Sequence, residues 1–185
     1  MTLTPVRLGQ ALFTMVDPAR GHEVAYNRWY ERDHRYSGCM IGPGWFAGSR
    51  WVAPKWLKDL RFPETGPVAT KTEDGSYLAI YWVHEPEIEE AEAWARTQVG
   101  ELYAAGRGFA EREHVHTGQY LPDSNISAHE DGVPLELALD HNYRGLVTVM
   151  IEPAEGVARD AALEIINSSP AEKLLATGTV DLVSN

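Results

Sequence analysis

A chain of 185 residues, 44% hydrophobic and 23% charged, has the size and balance of one globular unit and can bury a core without disulfide or metal. Sixteen Lys and Arg against 27 Asp and Glu leave a net charge of −11, which repels phosphate backbones and anionic bilayers and argues against nucleic-acid and membrane partners. The lone Cys39 fits a reducing compartment, no run of about 18 apolar residues marks a membrane span, and Met1–Gln10 lacks a signal-peptide core, so a cytoplasmic protein is expected.

Ala11–Asp17 reads as a strand closed by Pro18. A helix is predicted over His22–Tyr36, with Ala25, Tyr26, Trp29 and Tyr30 at helical spacing. Gly38 and Gly42-Pro43-Gly44 end it, and Trp45–Val52 (WFAGSRWV) reads as the second strand. After a Pro- and Lys-rich loop and the Asp74-Gly75 turn, Tyr77–His84 (YLAIYWVH) is the third. Pro86 and the surrounding glutamates open a second helix, whose apolar stripe is Ile88, Ala91, Ala95, Val99 and Leu102 and whose end falls near Gly106. His114–Tyr120 is the fourth strand. Residues 1–120 thus spell β-α-β-β-α-β, the ferredoxin-like order of an α+β unit with helices on one face of an antiparallel sheet.

Residues 121–144 are turn-rich and read as an irregular connection. Gly145–Glu152 predicts a fifth strand, Val157–Asn167 a helix and Thr179–Val183 a last strand. Met15-Val16-Asp17-Pro18-Ala19 with Gly21 is echoed by Met150-Ile151-Glu152-Pro153-Ala154 with Gly156. Residues 145–185 are therefore expected to form a partial second β-α-β unit packed on the same domain. A half unit leaves sheet edges and a sheet face uncovered, which a homodimer or higher oligomer would cover.

The sharpest local feature is Trp29-Tyr30-Glu31-Arg32-Asp33-His34 at the end of the first helix. A strand, a helix ending in this motif and a further strand resemble the dimeric α+β barrel superfamily, most closely its EthD-like proteins. The resemblance implies two ferredoxin-like units pairing their sheets into a barrel. It also implies a small-molecule cleft between each sheet and its helices, and chemistry that mostly needs no cofactor. By motif only His34 carries over, as the helix-end histidine; the Pro that commonly follows it is replaced here by Arg35-Tyr36-Ser37-Gly38. The alternative role for His34 is a cation capping the helix C-terminus.

His114-x-His116 is the second feature. Alternation places both imidazoles on one sheet face with Gly118 and Tyr120, and Val115 and Thr117 on the face the helices cover. Such a face suits a polar cleft, or two metal ligands that His34, Glu111 or Glu113 would have to complete; the metal-free pocket is the preferred reading. In the second strand, Trp45, Ala47, Ser49 and Trp51 share a face opposite Phe46, Gly48, Arg50 and Val52. Arg50 suits an enolate or carboxylate oxygen, or an ion pair with a neighbouring acid. In the third strand, Leu78, Ile80, Trp82 and His84 oppose Tyr77, Ala79, Tyr81 and Val83, as in a central strand covered on both sides. No dinucleotide, phosphate-loop or zinc-protease motif occurs, and no cofactor is expected.

These features point to an enzyme that moves a proton next to a carbonyl on a small aromatic, polyketide-like or other apolar compound: a lyase, isomerase or cyclase. His34, His116 or His114 would be the base and Arg50 the enolate stabiliser, with Tyr36, Trp51, Tyr81, His84 and Tyr120 around the substrate. Alternatives are a cofactor-free monooxygenase of phenols and a non-catalytic EthD-like accessory protein that binds a ligand.

Overall fold

The computed structural model describes residues 5–66, 68–126, 131–150, 155–158, 161 and 180–184. β1 (Leu8–Pro18) leads into α1 (Glu23–Trp29), which continues in helical conformation through two π-helical turns, Tyr30–His34 and Tyr36–Met40. β2 (Trp45–Val52), the short α2 (Lys55–Lys58) and β3 (Tyr77–His84) follow. A 3-10 turn at Glu85–Glu87 opens α3 (Ile88–Ala104), and β4 (Arg112–Ile126), a 3-10 turn at Leu135–Asp140 and β5 (Val180–Ser184) complete the described elements.

The sheet runs β2-β3-β1-β4-β5 with every neighbouring pair antiparallel. The molecule is α+β, and the order and connections of its first four strands are compatible with the ferredoxin-like arrangement. β2 and β3 have the boundaries that the apolar runs predict. The α3 stripe also holds: Ala91 and Leu102 are buried, and Ile88 and Ala95 pack against the helix-side core. Gly106, at φ +72°, stops α3 in the left-handed conformation, and the Arg107 amide returns to the Leu102 carbonyl at 2.8 Å.

Both faces of the sheet are covered. Tyr26, Tyr30 and Cys39 from α1 and its π turns pack on Ala79, Tyr81 and Val83. On the far side Phe13, Ile80 and Trp82 lie beneath Leu135 and Leu139. Trp82 is 2% exposed, and its indole N–H donates to the Leu135 carbonyl at 3.0 Å, which latches the 3-10 turn onto that face. β3 alternates as expected because it is central and unbulged in the middle of its ladders.

Two of the register shifts, at Phe46 and Val115, correct the expected faces. One extra residue interrupts the ladders at Gly9 in β1, Phe46 in β2 and Val115 in β4. An inserted residue sends everything beyond it to the other face. Trp45 therefore joins the helix-side core, away from Ala47 and Trp51 on the far side. His114 and His116 likewise part: Met15 faces His116 while Val16 faces His114, so the two imidazoles do not share a face. Val115 packs on the far-side core, whereas Thr117 is on the helix side as expected.

The tail differs too. β4 runs on to Ile126, into the stretch read as irregular, and pairs there with β5, one residue displaced from the expected last strand. Residues 145–150 carry no strand, although Met150 packs against the far-side core. Residues 151–152 of that expected strand and nearly all of the expected helix over 157–167 lie outside the described residues. Trp82→Ala is expected to cost about 3–5 kcal/mol in urea unfolding and to raise amide exchange in 135–140, since it removes both a buried ring and the latch on Leu135.

Candidate functional site

A cleft of about 130 Å³ opens between the helix side of the sheet and the elements covering it. Its inner wall is aromatic and apolar: Tyr30, Tyr81, Trp45, Leu12, Ala95 and Val99, with Cys39 and Gly38. Its polar end is made by Thr14 of β1, His114 and Thr117 of β4 and His34 of the first π turn. His114 and Thr117 are exposed, so this end is the mouth.

His34 is placed by a segment anchored on three sides. The Trp29 indole N–H donates to the Arg107 carbonyl at 2.7 Å, and the Arg107 guanidinium pairs with Asp33. Arg35 donates to the Gly48 carbonyl of β2 at 2.6 Å, and Gln98 of α3 donates to the Ser37 carbonyl at 2.8 Å. Bonds from Arg107 and the Ser37 hydroxyl hold Asp33 at about 2. Within this frame the His34 ring stacks on Trp29, centroids 4.3 Å apart and 16° from parallel, and meets Tyr30 edge-on at 5.2 Å. A Cβ on Gly38 would come within 2.7 Å of His34 Nδ1, so only glycine leaves the ring its place.

Burial pulls His34 down to about 4; the Arg112 guanidinium pushes the same way and Asp33 opposes it. The imidazole is neutral at pH 7. Among the described residues its nitrogens have no hydrogen-bond partner, and neither is sealed from solvent. His34 therefore does not act as a charged helix cap. His114 is lowered as well, by burial and by Arg112. Its Nδ1 lies 3.2 Å from Thr117 Oγ1, which lies 3.0 Å from Thr14 Oγ1. This chain fixes the ring and leaves Nε2 for other work.

Tyr30 and Tyr81 share a buried hydrogen bond of 2.6 Å between their hydroxyls. Burial raises both well above the ordinary tyrosine range, so they stay protonated. Burial pushes Cys39 up to about 12; it is a thiol that fills space, not a nucleophile.

The remaining expected site residues lie elsewhere. Arg50 sits behind the cleft wall, paired with Glu31, bonded to Asn27 and centred 3.9 Å over the Tyr30 ring. Its charge is already spent on an acid, and it props Tyr30 from behind. His116 is on the far face, where its Nε2 meets Tyr120 Oη at 2.7 Å beside Phe13. Trp51 packs on that same far-side core. Tyr36 is 56% exposed, outside the cleft beneath the Arg35 guanidinium. His84 contacts Glu87 and Phe46 and borders an open groove of about 360 Å³ with Pro5, Arg7, Glu85 and Pro86. That groove is larger than the cleft but is an open surface trough with one imidazole on its border. Of the expected residues the structure brings together His34, His114 and Tyr81.

Trp45, Tyr30, Thr14 and Thr117 line the cleft without having been read as site residues. Thr14 and Thr117 were detectable as facing polar residues on two adjacent strands; Trp45 was hidden by the Phe46 bulge. Among the described residues no three His, Cys, Asp or Glu side chains converge as metal ligands. No described helix is long and apolar enough to cross a membrane. Comparison of this chain with protein-family models, with curated proteins and with solved structures finds no match in any of the three.

The depressed His34 gives a pH signature. An unfolded histidine titrates near 6.5, so as pH falls the unfolded chain takes up this proton first. The contribution of His34 to stability is complete above about pH 6.5 and is lost towards pH 4, by up to about 3 kcal/mol. His34→Phe, which keeps the stack on Trp29, should flatten that decline. Urea unfolding of both forms at pH 7 and 4.5 tests this, and equal losses would move the titration to another group.

Proposed function

We propose that this cleft is a small-molecule site and that the protein is a cofactor-independent proton-transfer enzyme of the lyase, isomerase or cyclase type, acting on a small aromatic or other apolar carbonyl compound. The observation that carries this reading is the placing of two neutral imidazoles at one end of an aromatic cleft. The roles follow from their surroundings. His114, with Nδ1–H donated to Thr117, presents Nε2 as the base that takes the proton from the carbon next to the carbonyl. His34 titrates too low to be an effective base at pH 7, and donates its N–H to the oxygen on which the enolate charge develops. The proton then returns from His114 to carbon or to a leaving group.

The size of the cleft favours a single ring, since a cavity of about 150 Å³ holds benzene. Binding without turnover is the second reading, favoured by the same low basicity of His34. Proton exchange separates the two. With phenylacetone in D2O, followed by NMR, the protein should speed α-deuteration. His114→Ala should lower the rate about 10²–10⁴-fold, whereas Thr117→Val should lower kcat with little change in KM. Binding of the ketone without exchange would leave only the second reading.

The resemblance to the dimeric α+β barrel superfamily enters the same proposal, with a homodimer as its assembly. Val147 and Val149, next to the core-packed Met150, are 85% and 68% exposed, apolar area that a second chain would cover. Sedimentation should give about twice the 20.6 kDa chain mass, and Val147→Asp with Val149→Asp should return it to the single-chain value. A wild-type monomer at micromolar concentration would remove the dimer from the proposal.

A further inference from the structure

We propose that the ligand of this cleft carries a carboxylate, or an anion of like shape, which pairs with Arg112 while its ring occupies the cleft; this rests on the reading of the cleft as a small-molecule site. Arg112 stands two residues before His114 on β4, ahead of the bulge, so the two side chains leave the same face of the sheet about 7 Å apart. Its guanidinium lies 4.6 Å over the Trp29 ring, the indole against which His34 stacks. Arg112, Trp29 and His34 thus form one layered group beside the mouth.

The guanidinium is under-used. Arg112 Nη2 donates to Tyr103 Oη at 3.0 Å, and among the described residues no carboxylate pairs with it. Nε and Nη1 make no hydrogen bond there and are not sealed off from solvent. In a chain with 27 acidic residues, Arg50, Arg35 and Arg107 near the same cleft are each matched to an acid. Arg112 keeps the second N–H of Nη2, which with Nη1 or Nε beside it makes the planar fork that takes a carboxylate bidentately. Its stack on Trp29 fixes that fork before a ligand arrives, which lowers the ordering cost of binding. The cleft adds the other half of the recognition. Its inner wall presents no charged side chain, so a ring enters it and the charge stays at the mouth.

An anion there would also serve the proposed chemistry. Arg112 disfavours a proton on His114, and a carboxylate on the guanidinium cancels that field at the moment His114 must accept one.

The test uses the full chain, phenylacetate and its uncharged analogue phenylacetamide at pH 7, with the His34 and His114 ring resonances as reporters. Phenylacetate should bind at least tenfold more tightly than phenylacetamide and weaken with added salt. Arg112→Gln should abolish that preference while leaving phenylacetamide binding in place. Val99→Phe, which fills the inner cleft, should weaken both. Equal binding of the two compounds, or a preference that survives Arg112→Gln, overturns the anion assignment and leaves the cleft reading standing. Phenylacetate binding that survives Val99→Phe puts the anion outside the cleft and also overturns it. If neither compound moves either histidine, the cleft reading falls and the inference with it.

Discussion

The two-residue period of an antiparallel strand is the constraint on which the site depends, because it decides which side chains the helices can cover. β1 is the reference, paired with β3 on one side and β4 on the other. Its ladders keep perfect alternation through Ala11–Met15, and both cores are laid out from those residues. Each bulge then turns the residues beyond it to the other face. The Val115 bulge delivers His114 to the helix side, and the Phe46 bulge delivers Trp45. Without the first, His114 would sit with His116 on the far face. The cleft is thus assembled by two local departures from regular pairing, which is where bulges commonly re-aim a side chain.

A second constraint acts on charge. The helix-side wall is built from aromatic side chains that bury large areas and present few charges to the interior. Arg50 enters that wall only because Glu31, Asn27 and the Tyr30 ring surround it. His34 enters it by giving up its proton. The same desolvation that keeps the ring neutral also leaves it a donor and acceptor of hydrogen bonds at pH 7. An arginine paired with an acid and an uncharged histidine are two solutions to the same burial cost, and only the second leaves its charge-bearing ring unpaired among the described residues.

The legibility of the chain divides along these lines. Apolar runs bounded by turn residues placed β2 and β3 to the residue, because those strands are held by the burial that the run itself encodes. The α3 stripe and its Gly106 stop were legible for the same reason. Faces were not legible past a bulge, since an inserted residue has no composition signal in WFAGSRWV or in HVHTGQY. The π turns after Trp29 were equally hidden, being an adjustment of hydrogen bonding within an ordinary helical sequence. Residues 145–150 show the opposite failure. Their alternating apolar pattern reads as a strand, but β pairing needs a partner edge, and among the described residues none meets them.

His34 was singled out by a motif and His114 by a spacing, and both lie in the cleft, but for reasons the pattern did not contain. The pair His-x-His suggested a shared face; the structure divides it and sets His114, bonded to Thr117, on one cleft with His34, stacked on Trp29. That exchange of partners changes the chemistry. Two imidazoles on an open sheet face would titrate together near neutrality and suit a metal. Two imidazoles at the end of an aromatic cleft, beside an arginine that holds no acid among the described residues, are kept neutral and made to differ: His34 is half-buried and has no hydrogen-bond partner among the described residues, and His114 is exposed and bonded to Thr117. A pair of like groups given unlike environments is the arrangement from which distinct donor and base roles follow.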